Sequence, residues 1–408
     1  MTNIFNKIRL PESFDRDLKL LTGSMAMRRI SMGSLMVVRA IYFYLLGFNE
    51  IEVGLLLSFA TAVSAIHHIT FGMLSDKFGR KVFLLIGGIF STLRMVVFAI
   101  SSDFWMLVLG QGLGAMGEGA GAGQPVVSGY IADKTDIHQR SSIFTALAVT
   151  NALASTVGSL LAGLPHYFQR TLGVDMIAAH SLLFWIGALG SFASLLFILP
   201  IQEVRAKRPV VIEKRQRSGK RSWGVIARFS LVRSTSGLGW SFIQSFMSLY
   251  FFKKFGVGGE ALGPIYASAR FISVFSYFFI PMFVERLGDV SSIVASRFVA
   301  AALVLVFAFV EWYPLAVVLM VFFRIVVMFT MPIREAFATG LVDPEETATA
   351  IGISNFARMS VRTAAPTIAG YMFQSISMNM PFITGAILLV TNGILFKMFF
   401  QPRNEHSS

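Results

Sequence analysis

Apolar runs long enough to cross a bilayer recur along the whole chain, and they limit the possible folds more than any other feature. Hydrophobic residues make up 55% of the 408 residues and charged residues only 14%, whereas a soluble domain carries about 25% charged residues. An α-helix needs about 20 apolar residues to span the hydrocarbon core. Because lipid offers no hydrogen-bond partners to the backbone, each run must form a helix. The sequence therefore predicts an all-α membrane protein.

Windows of this length predict twelve transmembrane helices. Their expected bounds are 25–47, 51–72, 82–101, 104–130, 142–164, 177–200, 224–251, 260–283, 291–310, 314–337, 349–375 and 381–400. Two connections are long: an outer loop at 165–176 and a polar, basic linker at 201–223. An amphipathic segment, 1–24, is expected to lie on the cytoplasmic face of the membrane, and a cytoplasmic tail, 401–408, ends the chain.

The formal net charge of +13 follows membrane topology. With a cytoplasmic N-terminus, most lysines and arginines fall in inner loops, as the positive-inside rule requires. The basicity therefore needs no nucleic-acid partner. The chain has no cysteine, which excludes disulfides and thiolate metal sites. No nucleophile–base pair or metal cluster stands out, so we expect neither an enzyme nor a cofactor.

An internal repeat divides the spans into two sets. A shift of 207 positions places Pro125 on Pro332 and Thr156 on Thr363. Parallel halves related by an axis along the membrane normal occur in transporters. The predicted domains are a six-helix bundle at 25–200 and a second six-helix bundle at 224–400.

The most specific string in the chain is the charged decapeptide 72–81 between two apolar spans. Its pattern, Gly-x-x-x-Asp-(Arg/Lys)-x-Gly-Arg-(Arg/Lys), resembles the cytoplasmic signature between helices two and three of the major facilitator superfamily. The matching residues are Gly72, Asp76, Lys77, Gly79, Arg80 and Lys81. The alternative interpretation is an ordinary basic loop. The resemblance extends along essentially the whole chain and implies two pseudo-symmetric six-helix bundles that work by alternating access.

The same resemblance implies a conformational latch on the inner face. Asp76 would face the N-terminus of helix eleven in the other half, where the helix dipole favours a negative charge. Arg80 would pair with Asp133 at the end of helix four, and Arg140 belongs to the loop that follows. The alternative is that these charges only keep the loop soluble.

Three charged residues fall in the middle of predicted spans: Arg39 in span one, Glu118 in span four and Arg324 in span ten. A charge at the bilayer centre costs at least about 2.5–3.5 kcal/mol, so such residues usually face a cavity and have a function. By resemblance, helices one, four, seven and ten line a central cavity, to which helix seven would add Trp240 and Gln244. The alternative is a static ion pair between Arg39 and Glu118.

This set of residues predicts a proton-coupled antiporter that exports a small amphiphilic or anionic molecule. Burial raises the pKa of a carboxyl group and a nearby arginine lowers it, so Glu118 is suited to carry the proton. One departure weakens the comparison with drug/proton antiporters: their arginine three residues before a Gln-Gly pair is Val108 here. Uptake or exchange of organic anions by the arginines alone, and lipid-headgroup flipping, remain as alternatives.

Six further arginines lie in or near the spans: Arg94, Arg233, Arg270, Arg297, Arg358 and Arg362. Most are near span ends or on outer helices, so we expect them to extend to the membrane surface or to bond neighbouring helices. The expected partners of the protein are a small-molecule substrate, protons and the lipid bilayer. A monomer in a prokaryotic cell membrane is expected.

Overall fold

In the computed structural model, residues 14–117, 124–135, 137–203, 223–276, 280–339, 341 and 344–401 are described. These residues form sixteen α-helices and one short 3-10 helix at Leu161–Gly163. The α-helices are α1 Arg16–Leu45, α2 Glu50–Phe78, α3 Arg80–Ile100, α4 Phe104–Gly117, α5 Gln124–Lys134, α6 Ile137–Leu160, α7 Leu164–Leu172, α8 Met176–Ile198, α9 Trp223–Phe255, α10 Gly259–Ser276, α11 Ile280–Leu287, α12 Asp289–Phe309, α13 Tyr313–Phe329, α14 Met331–Thr339, α15 Pro344–Ser375 and α16 Met380–Phe400.

The all-helical prediction is confirmed. Each predicted span coincides with one helix or with two consecutive helices, as in spans four, eight and ten. By length and composition alone, seven helices in the described part of the chain are apolar enough to cross a membrane. Residues 14–24, the part of segment 1–24 that the structure describes, do not form a separate element. The helix α1 runs without a break from Arg16 into the first span.

The break in span ten has a local cause. Pro332 has no backbone N–H and favours the first turn of a helix, so α13 ends at Phe329 and α14 starts at Met331. The carbonyl of Thr330, between the two helices, accepts the backbone N–H of Arg334 at 3.1 Å. Pro125, the repeat counterpart of Pro332, likewise lies in the first turn of a short helix, α5.

The prediction of a loop at 165–176 is wrong for most of its length. The helix α7 covers Leu164–Leu172, with a proline in its first turn. It ends at Gly173, whose φ of 67° is the left-handed conformation that glycine tolerates. The side chain of Asp175 then caps α8 by accepting the N–H groups of Ile177 and Ala178. The segment is polar and lacks the apolar run that identifies a transmembrane span. A proline in the first turn and a glycine after the last turn are nevertheless typical start and stop signals of a helix.

The chain separates into two compact units. Unit 1 comprises the described parts of residues 1–42, 63–212 and 259–267, and unit 2 those of residues 43–62, 213–258 and 268–408. Within unit 1, α3 packs along α8 and α4; within unit 2, α9 packs against α15 and α16, and α12 packs against α16. The division into bundles at 25–200 and 224–400 remains a prediction.

Candidate functional site

In unit 1, Arg39 of α1 faces α4. Its Nη1 donates a long hydrogen bond of 3.4 Å to Oε1 of Gln111. Gln111 is only 1% exposed, so this amide is a buried orienting group for the guanidinium. The sequence hypothesis used the Gln111-Gly112 pair only for comparison and missed the contact with Arg39.

In unit 2, Arg324 of α13 faces α9. Its Nη2 donates a hydrogen bond of 2.7 Å to Oε1 of Gln244. On the same two helices, the rings of Trp240 and Phe323 stack with centroids 5.9 Å apart. The structure therefore places the predicted residues Trp240, Gln244 and Arg324 on one pair of facing helices, with Gln244 bonded to Arg324 and Trp240 stacked on Phe323.

Glu118 lies outside the described residues. The hypothesis that Arg39, Glu118 and Arg324 surround one hollow remains a prediction, as does the role of Glu118 in proton transfer. In the described chain there is no group of three or more His, Asp or Glu residues that could hold a metal ion.

The charged residues of the decapeptide join two other segments of unit 1. Arg80 is 6% exposed; its Nη2 lies 2.7 Å from Oδ1 of Asp76, and its Nε pairs with Asp133 as expected. The carboxylate of Glu203 accepts the backbone N–H groups of Arg80 at 2.8 Å and Lys81 at 2.7 Å. We call Asp76, Arg80, Asp133 and Glu203 the signature cluster.

Two glycines make room for the signature cluster. Gly79 has a φ of 101°, which an L-residue rarely adopts, and a Cβ there would lie 3.2 Å from the carboxyl carbon of Glu203. A Cβ at Gly129 would overlap the guanidinium of Arg80. The cluster therefore depends on the absence of two side chains as well as on opposite charges.

The other predicted latch residues lie around this cluster. Lys81 donates from Nζ to the carbonyl of Leu199 at 2.7 Å, and Lys77 lies over the ring of Phe78. A Cβ at Gly72 would meet Pro125 at an ordinary 3.5 Å. Arg140 donates to the carbonyls of Ala132 at 2.8 Å and of Thr135 at 3.3 Å. These contacts stabilise the ends of α2 and α5 and the start of α3, and the proposed switching role of the latch remains a prediction.

Sequence reasoning missed Glu203, which anchors the start of α3. It lies more than 120 positions from Arg80 in the sequence, in a basic segment where an isolated acid gives no signal. Acidic side chains at a helix N-terminus are favoured because they accept the unpaired N–H groups of the first turn.

A second group of paired charges joins residues before the first predicted span to the end of α5. Lys134 of α5 forms ion pairs with Asp15, at 2.7 Å, and with Asp17. Burial raises the pKa of Asp17, but the hydrogen bonds from Lys134 and from the backbone of Gln202 outweigh it and leave that pKa below its ordinary value. Burial lowers the pKa of Lys134, but its bonds to the two carboxylates raise it overall.

Comparison with known sequences gives one family over most of the chain. A family model described as Major Facilitator Superfamily matches residues 21–366. The chain is 25% identical to the quinolone resistance protein NorA of Staphylococcus aureus (strain COL), over 84% of this chain and 86% of NorA. It is 19% identical to an uncharacterized membrane protein of Saccharomyces cerevisiae, over 94% of both chains.

Solved structures share the fold. A crystal structure of the nucleoside transporter NupG matches with a TM-score of 0.73 and 15% identity, over 94% of this chain and 99% of NupG. A bacterial homologue of the human lysosomal transporter Spinster, in an inward-facing and occupied conformation, matches with a TM-score of 0.73 and 16% identity, over 94% of this chain and 96% of that chain. At these identities the match supports the fold alone.

Proposed function

The chain belongs to the major facilitator superfamily and is a multi-pass membrane transporter, and from this premise we propose that it exports a small amphiphilic, carboxylate-bearing molecule in exchange for protons. The proposal is supported by the similarity to NorA, whose name assigns it quinolone resistance. A quinolone combines a flat aromatic ring system with a carboxylate, so quinolones are suitable probe substrates.

One arrangement carries the substrate part of this proposal: Arg324, oriented by Gln244, lies on the same two facing helices as the stacked rings of Trp240 and Phe323. A guanidinium binds a carboxylate through two parallel N–H groups, and an aromatic face packs against a planar ligand. Arg39, oriented by Gln111, is proposed as a second cation for the substrate.

Glu118 is proposed as the residue that couples transport to the proton gradient. A protonated glutamate and a bound anion place opposite demands on nearby arginines, so proton loading and substrate binding would alternate as the carrier switches sides. We further propose cytoplasmic N- and C-termini, with the chain working as a monomer in a prokaryotic cell membrane.

The test is a transport assay in proteoliposomes with a fluorescent quinolone. Glu118→Gln should abolish transport driven by a pH gradient but preserve quinolone exchange at equal pH, because the amide cannot release a proton. The matched control, Glu285→Gln, changes an exposed acid of α11 and should leave both activities unchanged. If Glu118→Gln keeps the pH dependence of the wild type, the coupling role of Glu118 is wrong, and anion exchange by the arginines is the better account.

A further inference from the structure

Unit 2 contains a second group of cations that the proposed transport reaction does not use. It consists of Arg233 on α9, Arg297 on α12, Arg334 on α14 and Arg358 on α15. Glu335 follows Arg334 in the sequence and is close to the group in space. The guanidinium of Arg334 interacts electrostatically with the other three arginines and with Glu335. We call these four arginines and Glu335 the arginine cluster.

Hydrogen bonds within the described chain satisfy the arginine cluster only in part. Arg233 pairs with Glu335 at 2.6 Å. Arg334 donates long bonds to neutral oxygens, at 3.3 Å to the carbonyl of Thr330 and at 3.4 Å to the hydroxyl of Ser236. Four arginines therefore share one carboxylate among the residues that the structure describes.

Several guanidinium nitrogens of this cluster are buried without a partner in the described chain. They are Nη1 of Arg233, Nε and Nη2 of Arg297, and Nε of Arg358. Arg297 is only 2% exposed, so its charged group does not reach the surface of the protein. Of the two expectations for these arginines, extension to the membrane surface is therefore excluded for Arg297.

Among the described residues, this arrangement lowers stability instead of raising it. A buried charge without a full set of partners costs several kcal/mol, and like charges close together add to that cost. Places where a sequence departs from such rules tend to be functional sites. A ligand that supplies negative charge and several acceptor atoms would remove both penalties.

The helix α9 connects the arginine cluster with the proposed substrate pocket. Arg233, Gly237, Trp240 and Gln244 follow spacings of four, three and four residues, which place them on one face of α9. Trp240 is seven residues from Arg233, or about 10 Å along the helix axis. A Cβ at Gly237 would lie 2.7 Å from Cγ of Arg358, so this glycine gives the stem of Arg358 room against α9.

We propose that the arginine cluster binds a phosphate-type oxyanion, either a soluble phosphomonoester or the phosphate of an anionic lipid. Guanidinium groups bind phosphate oxygens through paired N–H donors. The nitrogens without a partner lie on three different arginines. A tetrahedral phosphate has acceptor oxygens in several directions and can reach them better than a carboxylate, which has only two oxygens. Its charge of up to −2 also offsets most of the excess of arginine over glutamate.

The test measures binding by the purified full-length protein in detergent, without any proton gradient, so its outcome is independent of the role of Glu118. The probes are glycerol phosphate, dioctanoyl phosphatidic acid and, as a neutral control, dioctanoyl phosphatidylcholine. A ligand that binds the folded state raises the unfolding temperature with increasing concentration, which gives an apparent Kd. We expect at least one of the two phosphomonoesters to raise this temperature and phosphatidylcholine to leave it unchanged.

Variants assign the effect to the arginine cluster. Arg334→Gln and Arg358→Gln should each weaken binding about tenfold, as expected for the loss of a charge-assisted hydrogen bond. Arg358→Lys keeps the charge without the paired donors and should give an intermediate Kd if the glutamine variants fold poorly. Arg286→Gln, an exposed arginine of α11, should bind like the wild type.

The two phosphate probes separate the two sources of the oxyanion. A response to glycerol phosphate indicates a soluble ligand, and a response to phosphatidic acid alone indicates a lipid headgroup. No response to either probe, or equal responses of the wild type and of all three cluster variants, would overturn the proposal.

Discussion

The signature cluster of unit 1 and the arginine cluster of unit 2 are both built around buried arginines, but their partners differ. Arg80 contacts two carboxylates, and Glu203 accepts the backbone N–H groups of Arg80 and Lys81. Arg297 has two buried nitrogens without a partner in the described chain. The first arrangement is complete within the described chain, whereas for the second we propose that a ligand supplies the missing acceptors.

This difference separates two uses of positive charge in a membrane protein. Breaking a complete buried pair leaves one charge uncompensated and is strongly destabilising. Removing a surplus buried charge should instead increase stability, and the disadvantage of that substitution is a loss of function. The same substitution should therefore change stability in opposite directions in the two clusters.

The largest effect is expected for Arg80→Met. Asp133 would be left without its buried cation, and stability should fall by about 3–5 kcal/mol. Gly129→Ala keeps every charge but displaces the guanidinium of Arg80, so it should destabilise in the same direction. Unfolding followed by tryptophan fluorescence in detergent measures both changes.

The control for Arg80→Met is Asp76→Asn. The Asp76 side chain is 51% exposed, so its ion pair should contribute no more than about 1 kcal/mol. If Arg80→Met unfolds at the wild-type temperature, the signature cluster does not stabilise unit 1 and the comparison fails.

The second effect has the opposite sign. Arg297→Met replaces a buried charge by an unbranched apolar side chain and should stabilise the ligand-free protein by about 1–4 kcal/mol. The same variant should lose the stabilisation by phosphate. A clear fall in its unfolding temperature would show that Arg297 stabilises the fold. It would contradict the claim that unit 2 carries a destabilising surplus of positive charge.

The smallest effect concerns pH and the other paired group of unit 1. Because the folded-state pKa of Asp17 is lowered, its carboxylate contributes stability above its ordinary pKa of about 4, and that stability is lost as the pH falls through the folded-state pKa. Between pH 5 and pH 3, the unfolding temperature of the wild type should fall further than that of Asp17→Asn. Parallel curves for the two proteins would contradict this assignment.

Much of the fold could be predicted because membrane insertion depends on local sequence. Each apolar run needs a helix wherever it lies, and Pro125 and Pro332 mark equivalent helix starts in the two halves. The helix α7 was missed because its polar sequence lacks the pattern of a span. The pairing of Arg80 with Asp133 could be predicted from the family signature.

The rest depends on contacts between distant parts of the sequence. Taken singly, Arg233, Arg297 and Arg358 look like arginines near the ends of spans. Only the packing of α9, α12, α14 and α15 brings them together. The roles of Gln111 and Glu203 likewise depend on partners 72 and more than 120 residues away, for which a single sequence carries no signal.

The most direct test of the contrast between the two clusters is a cryo-electron microscopy map of the protein with the phosphomonoester that binds more tightly. The account predicts density of the size of a phosphate group against Arg334 and Arg358, with Arg80 still paired to Asp133. A map in which the arginine cluster holds no added density while the probe is bound elsewhere would contradict it.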